Sequence, residues 1–295
     1  MNVDHNVLPK ILDPFCCKSL CPHSHGIHRH LSHRLPGTLY CYMFSFFHKL
    51  CSNHSLNIRT RFSNRKLTIF MQPPASPPSS PDSLLARCHA IAGLTLGELA
   101  DMANVAMPAN LQRHKGWPGM LIEKWLGASA GSKPQQDFPE LGIELKTIPI
   151  DAHFSPLETT YVCFAPLLMA PGITWETSNV RNKLQQVLWL PIEGDRAIPL
   201  AHRRVATGFY WRPNEHEDAV LRHDWEELVE QIATGQVESI TSRQGEALHI
   251  RPKAANGKVL TDALGPEGQR IKTRPRGFYL RKTFTHQILI NAFGG

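Results

Sequence analysis

The segment Asp137-Phe-Pro-Glu-Leu-Gly-Ile-Glu144-Leu-Lys146 joins a predicted turn to the start of a predicted strand. Gly142 in this turn allows the chain to fold back on itself. Glu144 and Lys146 stand two residues apart, so on a strand their side chains leave the same face. Asp137 lies in the preceding turn. The segment can therefore bring two carboxylates and one ammonium group together at the end of a strand.

This group of side chains suits phosphodiester hydrolysis. Two carboxylates form a hard oxygen site for Mg²⁺, which keeps several waters and takes phosphate oxygens as further ligands. A lysine beside them can orient the attacking water and offset charge on phosphorus. The spacing alone is also compatible with a second interpretation, in which Glu144 and Lys146 are simply a solvated charged pair. However, Ile148 and Ile150 share the face of the charged pair, and half-buried carboxylates usually have a partner or a metal.

Glu123 offers a third carboxylate. It lies on a helix predicted over 119–126, and it points away from the apolar face of that helix. Gly119 and Gly127, four residues before and after it, leave room for a ligand. On these grounds a surface glutamate on an amphipathic helix remains an equally open interpretation.

The surrounding pattern predicts a mixed fold of helices and strands. Asp82 or Ser83 can cap a first helix that runs to about Ala92, and Thr95 and Glu98 have the spacing of a capping box. Further helices are predicted over 178–185 and 215–234, and strands over 143–150, 160–165, 186–192, 247–251 and 277–282. The expected class is α/β or α+β, with a mixed central sheet flanked by helices.

Charge and cysteine are unevenly distributed along the 295 residues. Residues 1–70 hold nine Lys and Arg against Asp4 and Asp13, which accounts for the whole formal net charge of +7. The basic character of the chain therefore gives no argument for nucleic-acid binding by the main body. Only Cys88 and Cys163 lie beyond residue 70. Since two isolated cysteines are no disulfide framework, a cytoplasmic location is expected.

Residues 1–70 are predicted to be a disordered leader, or an upstream extension of a reading frame that starts at Met71. No clean helix or strand period runs through them. Zinc binding is an alternative interpretation of this segment, because it contains Cys16, Cys17, Cys21 and a group of histidines between His23 and His33. Their spacing fits no standard zinc module. Residues 71–82 form a Pro/Ser linker, and the globular domain is expected over 83–295. No apolar run is long enough for a membrane helix.

Several further segments make the sequence resemble a known family. They are Lys115-Gly-Trp, Trp125-Leu-Gly-Ala-Ser-Ala-Gly-Ser-Lys-Pro, Gly142-Ile-Glu-Leu-Lys-Thr-Ile-Pro, Thr174-Trp-Glu-Thr-Ser, Arg251-Pro-Lys-Ala-Ala-Asn and Pro275-Arg-Gly-Phe-Tyr-Leu. Together with Asp137-Phe they resemble the MutH family, the strand-discriminating endonucleases of methyl-directed DNA mismatch repair. The resemblance runs from about Ser83 to Phe293 and has no counterpart in residues 1–70.

The resemblance implies a restriction-endonuclease-like fold of the PD-(D/E)xK type, with two lobes around a DNA cleft. It implies Mg²⁺-dependent nicking of the unmethylated strand of double-stranded DNA at hemimethylated GATC sites. It also implies activation by MutL, with MutS acting upstream. A protein of this kind with one active site is expected to be a monomer.

The resemblance also assigns roles to individual residues. Asp137 and Glu144 match the metal ligands, Lys146 matches the catalytic lysine, and Glu123 and Lys183 match further active-site residues. The residues that match DNA-contacting positions are Lys115, Tyr161, Arg251, Pro252, Lys253 and Tyr279.

Two other functions are compatible with the same residues. A restriction endonuclease of this fold would cut both strands at GATC, but the sequence offers no second catalytic domain. A non-catalytic DNA-binding protein would use the basic region 243–282, which holds aromatic residues among its arginines and lysines. Binding alone does not require the carboxylates of Asp137 and Glu144 to face phosphates.

Overall fold

The computed structural model describes residues 59–63, 66–109, 114–131, 133–168, 172–254 and 258–294. The cysteines and histidines considered above for zinc lie outside the described residues, as does most of the predicted leader. At the end of that leader the backbone forms a hairpin of β1 (Arg59–Ser63) and β2 (Lys66–Phe70), which the sequence pattern did not predict.

Three helices follow the hairpin: α1 (Pro81–Ile91), α2 (Leu96–Met102) and α3 (Trp117–Leu126). Helix α1 begins earlier than predicted because Ser80 is its cap: the Ser80 hydroxyl accepts a hydrogen bond from the Ser83 backbone N–H at 3.1 Å. The capping box predicted for α2 is confirmed. The Thr95 hydroxyl accepts from the Glu98 N–H at 3.2 Å, and the Glu98 carboxylate accepts from the Thr95 N–H at 2.8 Å.

The remaining elements are mostly strands with helices between them, as the sequence predicted. In chain order they are β3 (Glu144–Ile150), β4 (Thr160–Phe164), α4 (Asn179–Leu184), β5 (Val187–Glu193), β6 (Phe209–Trp211), α5 (Glu215–Ala233), β7 (Leu248–Pro252), β8 (Thr261–Leu264), β9 (Arg270–Thr273), β10 (Arg276–Leu280) and α6 (Lys282–Phe293). The mixed α/β class is therefore confirmed.

The strands form several small sheets where one central sheet was expected. Strand β5 lies between β3, to which it is parallel, and β6, to which it is antiparallel. A second sheet is antiparallel in the order β4-β10-β7, and β8 pairs with β9 as a hairpin. The prediction missed β6, β8, β9 and α6. It also ended the strand over 277–282 too late, because Lys282 is already the first residue of α6.

The sheet of β3, β5 and β6 is covered on both faces. Ile143 and Leu145 belong to one apolar cluster, which includes Met71 and helices α1, α2 and α3. Ile148 and Ile150 belong to the other cluster, which includes helices α4, α5 and α6. The expectation that Glu144 and Lys146 share their face with apolar residues is therefore confirmed, and this face is not solvated. No helix in the described part of the chain is long and apolar enough to cross a membrane.

Candidate active site

The predicted turn before β3 is present and brings Asp137 back to the strand. Residues Pro139–Leu141 form one 3-10 turn, and Gly142 follows with a φ of 64°. The backbone N–H of Phe138 then donates to the Ile143 carbonyl at 2.9 Å, which closes the turn. As a result, an Asp137 carboxylate oxygen, Oδ2, accepts a hydrogen bond from the backbone N–H of Leu145 at 2.9 Å.

Glu144 is the centre of the charged cluster and has only 2% of its surface exposed. Its Oε1 accepts a hydrogen bond from Lys146 Nζ at 2.7 Å, and its Oε2 accepts one from Lys183 Nζ at 2.8 Å. Lys183 comes from α4 and also donates to the carbonyl of Gln135. Both oxygens of a buried carboxylate are thus compensated by ammonium groups, which such a buried charge requires.

Glu123 faces this cluster from α3. A Cβ atom added at Gly119 would lie 4.0 Å from Glu123 Oε1, so this neighbour leaves space there. The space expected at Gly127 is absent, because a Cβ atom at that position would lie 2.9 Å from the Ser76 carbonyl oxygen. Burial raises the pKa of Glu123, and the carboxylates of Asp137 and Glu144 raise it further. The Glu123 side chain is half-buried in the negative field of these carboxylates, which disfavours the interpretation as a solvated surface residue.

The donor set of the cluster suits a hard cation. Burial raises the pKa of Asp137, and Glu144 is the next largest cause, so these two carboxylates repel each other. Within the described residues, Asp137 Oδ1 accepts no hydrogen bond, whereas Oδ2 accepts one. Among the same residues, no three His, Cys, Asp or Glu side chains lie close enough to hold a metal ion by themselves. A cation at Asp137 and Glu144 would therefore depend on water and substrate oxygens, as Mg²⁺ commonly does, and it would share the Glu144 oxygens with Lys146 and Lys183.

A second group of predicted residues lies on one face of the sheet β4-β10-β7. Tyr279 pairs with Tyr161 across the strands, and their ring centroids are 5.3 Å apart. Arg251 Cζ lies 5.8 Å from the centroid of the Tyr279 ring, and Lys253 Nζ lies 4.2 Å from that of Tyr161. We call these four residues the aromatic–basic face. Pro252 is exposed between Arg251 and Lys253.

Lysine charges connect the aromatic–basic face with the carboxylate cluster. Burial lowers the pKa of Lys253, and the next causes are the charges of Lys115 and Lys146. Lys115 is exposed just before α3. Lys253 therefore lies in the positive field of Lys115 and Lys146, which favours an anion beside it. The structure thus brings Lys115, which is distant in sequence, into the field of the other predicted residues.

Sequence reasoning missed a buried carboxylate that anchors the aromatic–basic face. Asp224 on α5 is 3% exposed, and it accepts hydrogen bonds from the backbone N–H groups of Glu246, Ala247 and Leu248 at 2.7–3.0 Å. It therefore pins the start of β7, the strand that carries Arg251. A sequence signal existed, because Asp224 lies among Leu221, Trp225 and Leu228, the buried residues of the helix.

A second missed residue is Phe164, the last residue of β4. Its side chain is 61% exposed, although a phenylalanine in a predicted strand is expected to face the core. The ring centroid lies 5.8 Å from that of Tyr161. No pattern in the sequence distinguishes this phenylalanine from a buried one.

Comparison with known proteins identifies the family. A family model described as "DNA mismatch repair enzyme MutH" matches residues 126–224. The chain is 60% identical over 222 residues to the DNA mismatch repair protein MutH of Escherichia coli O139:H28 (strain E24377A / ETEC). The aligned residues cover 75% of this chain and 97% of that protein. The same values hold for the protein of that name from Shigella boydii serotype 18 (strain CDC 3083-94 / BS512). The chain therefore belongs to the MutH family of DNA mismatch repair enzymes.

Proposed function

We propose that the protein is a Mg²⁺-dependent DNA endonuclease that nicks the unmethylated strand at hemimethylated GATC sites during mismatch repair. The observation that carries this proposal is the cluster of Asp137, Glu144 and Lys146 at the start of β3, in a chain 60% identical to proteins named for DNA mismatch repair. Two carboxylates and a lysine around one point are the groups that hydrolysis of a phosphodiester needs.

The residues of the cluster have separate roles in this proposal. Asp137 and Glu144 would hold Mg²⁺, which when bound supplies a Lewis acid for phosphate oxygens and an acidified water. Lys146 offsets negative charge that builds up on the phosphate. Lys183 neutralises Glu144 from the other side, and Glu123 provides a further acceptor for a water molecule or its proton.

DNA is proposed to lie in a cleft between two lobes, one built on each apolar cluster. Lys115 precedes α3 on one side, and the aromatic–basic face lies on the other. The charges of Lys115 and Lys146 both act on Lys253, which supports a phosphate backbone as a partner of this region. Arg251, Pro252 and Lys253 are proposed to read the GATC site, and Tyr279 to sense adenine methylation in the major groove.

The proposed partners follow from membership of the family. MutL is the proposed activator, with MutS upstream, and the endonuclease is proposed to act as a monomer. A monomer with one carboxylate cluster cuts one strand in each binding event. This supports nicking over the restriction endonuclease alternative, in which both strands are cut.

Purified protein incubated with Mg²⁺ and GATC duplexes tests the proposal. The duplexes should be unmethylated, hemimethylated and fully methylated, with and without MutL. Nicking of the unmethylated strand only, faster with MutL, is the expected result. On a plasmid, linear products would favour a restriction endonuclease, and an unchanged supercoiled form would favour a non-catalytic binding protein.

A further inference from the structure

Phe164 is the most exposed large apolar side chain in the described part of the chain, at 61%. Its neighbours in β4, Val162 and Cys163, are buried at 2% and 6%. The strand is therefore well packed on its other face. A single exposed ring is common on protein surfaces, so a contact site at Phe164 is indicated only by the side chains that lie beside it.

The strand register places Phe164 on the aromatic–basic face. Phe164 pairs with Gly277 of β10, and Gly277 pairs with Arg251 of β7. Side chains of cross-strand partners project to the same side of a sheet, so Phe164 shares its side with Arg251. An irregularity between Phe278 and Tyr279 keeps Tyr161 on this side as well. Accordingly, the Tyr161 ring lies between those of Phe164 and Tyr279, at 5.8 and 5.3 Å.

Gly277 makes this arrangement possible. A Cβ atom at Gly277 would lie 2.8 Å from a ring carbon of Tyr161 and 3.1 Å from the carbonyl oxygen of Cys163. With no side chain at this position, the Tyr161 ring lies close against the sheet, and Phe164 stands at the edge of a continuous aromatic row. Arg251 and Lys253 flank the row with positive charge.

The charge of the flanking residues favours DNA as the occupant of this row. An apolar protein surface would bury Arg251 and Lys253 without compensation, whereas a phosphate backbone compensates both. A phenylalanine ring has no hydrogen-bonding group. Among unmodified bases, the apolar group presented in the major groove is the C5-methyl of thymine, and the N6-methyl of a methylated adenine is the group already assigned to Tyr279.

We propose that Phe164 is a specificity-determining residue that packs against the C5-methyl group of a thymine in the GATC site. This inference rests on the proposed function, in which the aromatic–basic face reads GATC. It adds to that function an apolar contact that reads the thymine. The contact would operate beside the hydrogen-bonding residue Arg251 and the methylation sensor Tyr279.

Replacement of thymine by deoxyuridine tests the contact, because it removes only the methyl group. Binding in Ca²⁺ and nicking in Mg²⁺ should be measured on hemimethylated GATC duplexes with the substitution on either strand or on both. The affinity of wild type should fall about fourfold when deoxyuridine replaces thymine on one of the two strands, which is the effect of one buried methyl group. On the thymine duplex, Phe164→Ala should bind more weakly than wild type by a similar factor. Replacement of that thymine by deoxyuridine should not weaken its binding further.

Two matched variants complete the experiment. Phe164→Leu retains apolar surface and should keep part of the preference for thymine. Leu168→Ala removes another exposed apolar side chain, 43% exposed, a few residues further along the chain, and should discriminate thymine from deoxyuridine as wild type does. Unfolding curves should show that all three variants are folded.

The inference is overturned if wild type binds the thymine and deoxyuridine duplexes equally. It is also overturned if Phe164→Ala discriminates thymine from deoxyuridine as well as wild type does. Failure of the proposed function has a different signature. In that case wild type itself shows no preference for GATC over a scrambled site, with thymine or deoxyuridine alike.

Discussion

Lys183 Nζ on helix α4 lies 2.8 Å from Glu144 Oε2 on strand β3, and the two side chains are 11% and 3% exposed. The contact connects a residue of the proposed metal site to a helix 39 positions further along the chain. Since Lys146 binds the other oxygen of Glu144, the carboxylate is held in one orientation before any substrate arrives. Such preorganisation lowers the cost of assembling a reactive site.

We expect Lys183→Met to destabilise the protein by about 3 kcal/mol, because it leaves a buried carboxylate with a single cationic partner. Adding Glu144→Gln to this variant should recover part of the loss. Urea unfolding of the two single variants and the double variant measures the coupling. Lys272→Met is the control: its pair with Asp262 is 63% and 41% exposed and should contribute at most about 1 kcal/mol. Strict additivity of the Lys183 and Glu144 effects would contradict the expectation.

The carboxylate cluster should be required for chemistry more than for binding. We expect Asp137→Asn, Glu144→Gln and Lys146→Ala each to abolish nicking while DNA affinity stays largely intact, since the lost interactions act on the transition state. Nicking of a GATC plasmid and gel-shift binding measure the two effects. Glu140→Gln, in the same turn but exposed, should nick normally. Ca²⁺ should support binding with little cleavage. Normal nicking by any of the three variants would remove that residue from the site.

Tyr279 should control the response to methylation. A methyl group on adenine N6 changes both the shape and the donors in the major groove, so its reader must contact that amine closely. We expect Tyr279→Ala to narrow the difference in nicking rate between hemimethylated and fully methylated GATC, with a modest loss on unmethylated DNA. Arg251→Ala should instead weaken discrimination of GATC from other sequences by about 1–3 kcal/mol. Unchanged methyl discrimination in Tyr279→Ala would exclude Tyr279 as the reader.

His249 should make the stability of the protein depend on pH. It is 4% exposed beside Tyr279, and its Nδ1 lies 3.1 Å from the carbonyl of Ser242. Burial lowers the pKa of His249 below the ordinary value of 6.5, and the Ser242 contact opposes this shift. Below pH 6.5 the unfolded state therefore binds more protons than the folded state. Stability from His249 is present above that pH and is lost as the pH falls toward the lowered folded pKa.

The measurement is the free energy of unfolding between pH 7.5 and 5.5. His249→Asn keeps a donor for the Ser242 carbonyl and should reduce the slope, which for one proton is at most about 1.4 kcal/mol per pH unit. His223→Asn, an exposed histidine on α5, is the control and should leave the slope close to that of wild type. An equal slope in wild type and His249→Asn would show that other groups cause the pH dependence.

The Pro/Ser segment should belong to the folded domain. Met71 is 9% exposed in the cluster of α1, α2 and α3. Arg87 Nη1 donates to the Ser76 carbonyl at 3.0 Å and to the Leu126 carbonyl at 2.8 Å. We expect the chain 71–295 to fold and nick as the full chain does. The chain 83–295 lacks Met71, Ser76 and the Ser80 cap, and its free energy of unfolding should be lower by at least about 1 kcal/mol. Thermal unfolding compares the three chains. Failure of 71–295 to fold would show that the leader contributes to the domain.

Local sequence determined most of the elements around the site. The capping box of Thr95 and Glu98, the turn at Gly142 and the alternation along β3 are set by neighbouring residues, so short-range rules predicted them. These rules also placed Asp137, Glu144 and Lys146 at one strand end. The metal-binding and water-orienting roles of these three residues were argued from residue type, whereas the roles of Lys115, Lys183 and Tyr279 came from the resemblance to a family. All of these roles remain predictions.

Only the tertiary structure decided which distant side chains meet. The pairing of Lys183 with Glu144, the aromatic row of Phe164, Tyr161 and Tyr279, and the anchoring of β7 by Asp224 each join separate elements. Strand order and register set these contacts, and both depend on how the elements pack together and bury their apolar surface. The exposure of Phe164 also depends on tertiary packing. Residue type and local pattern determine neither the side of the sheet on which its side chain lies nor which element covers that side.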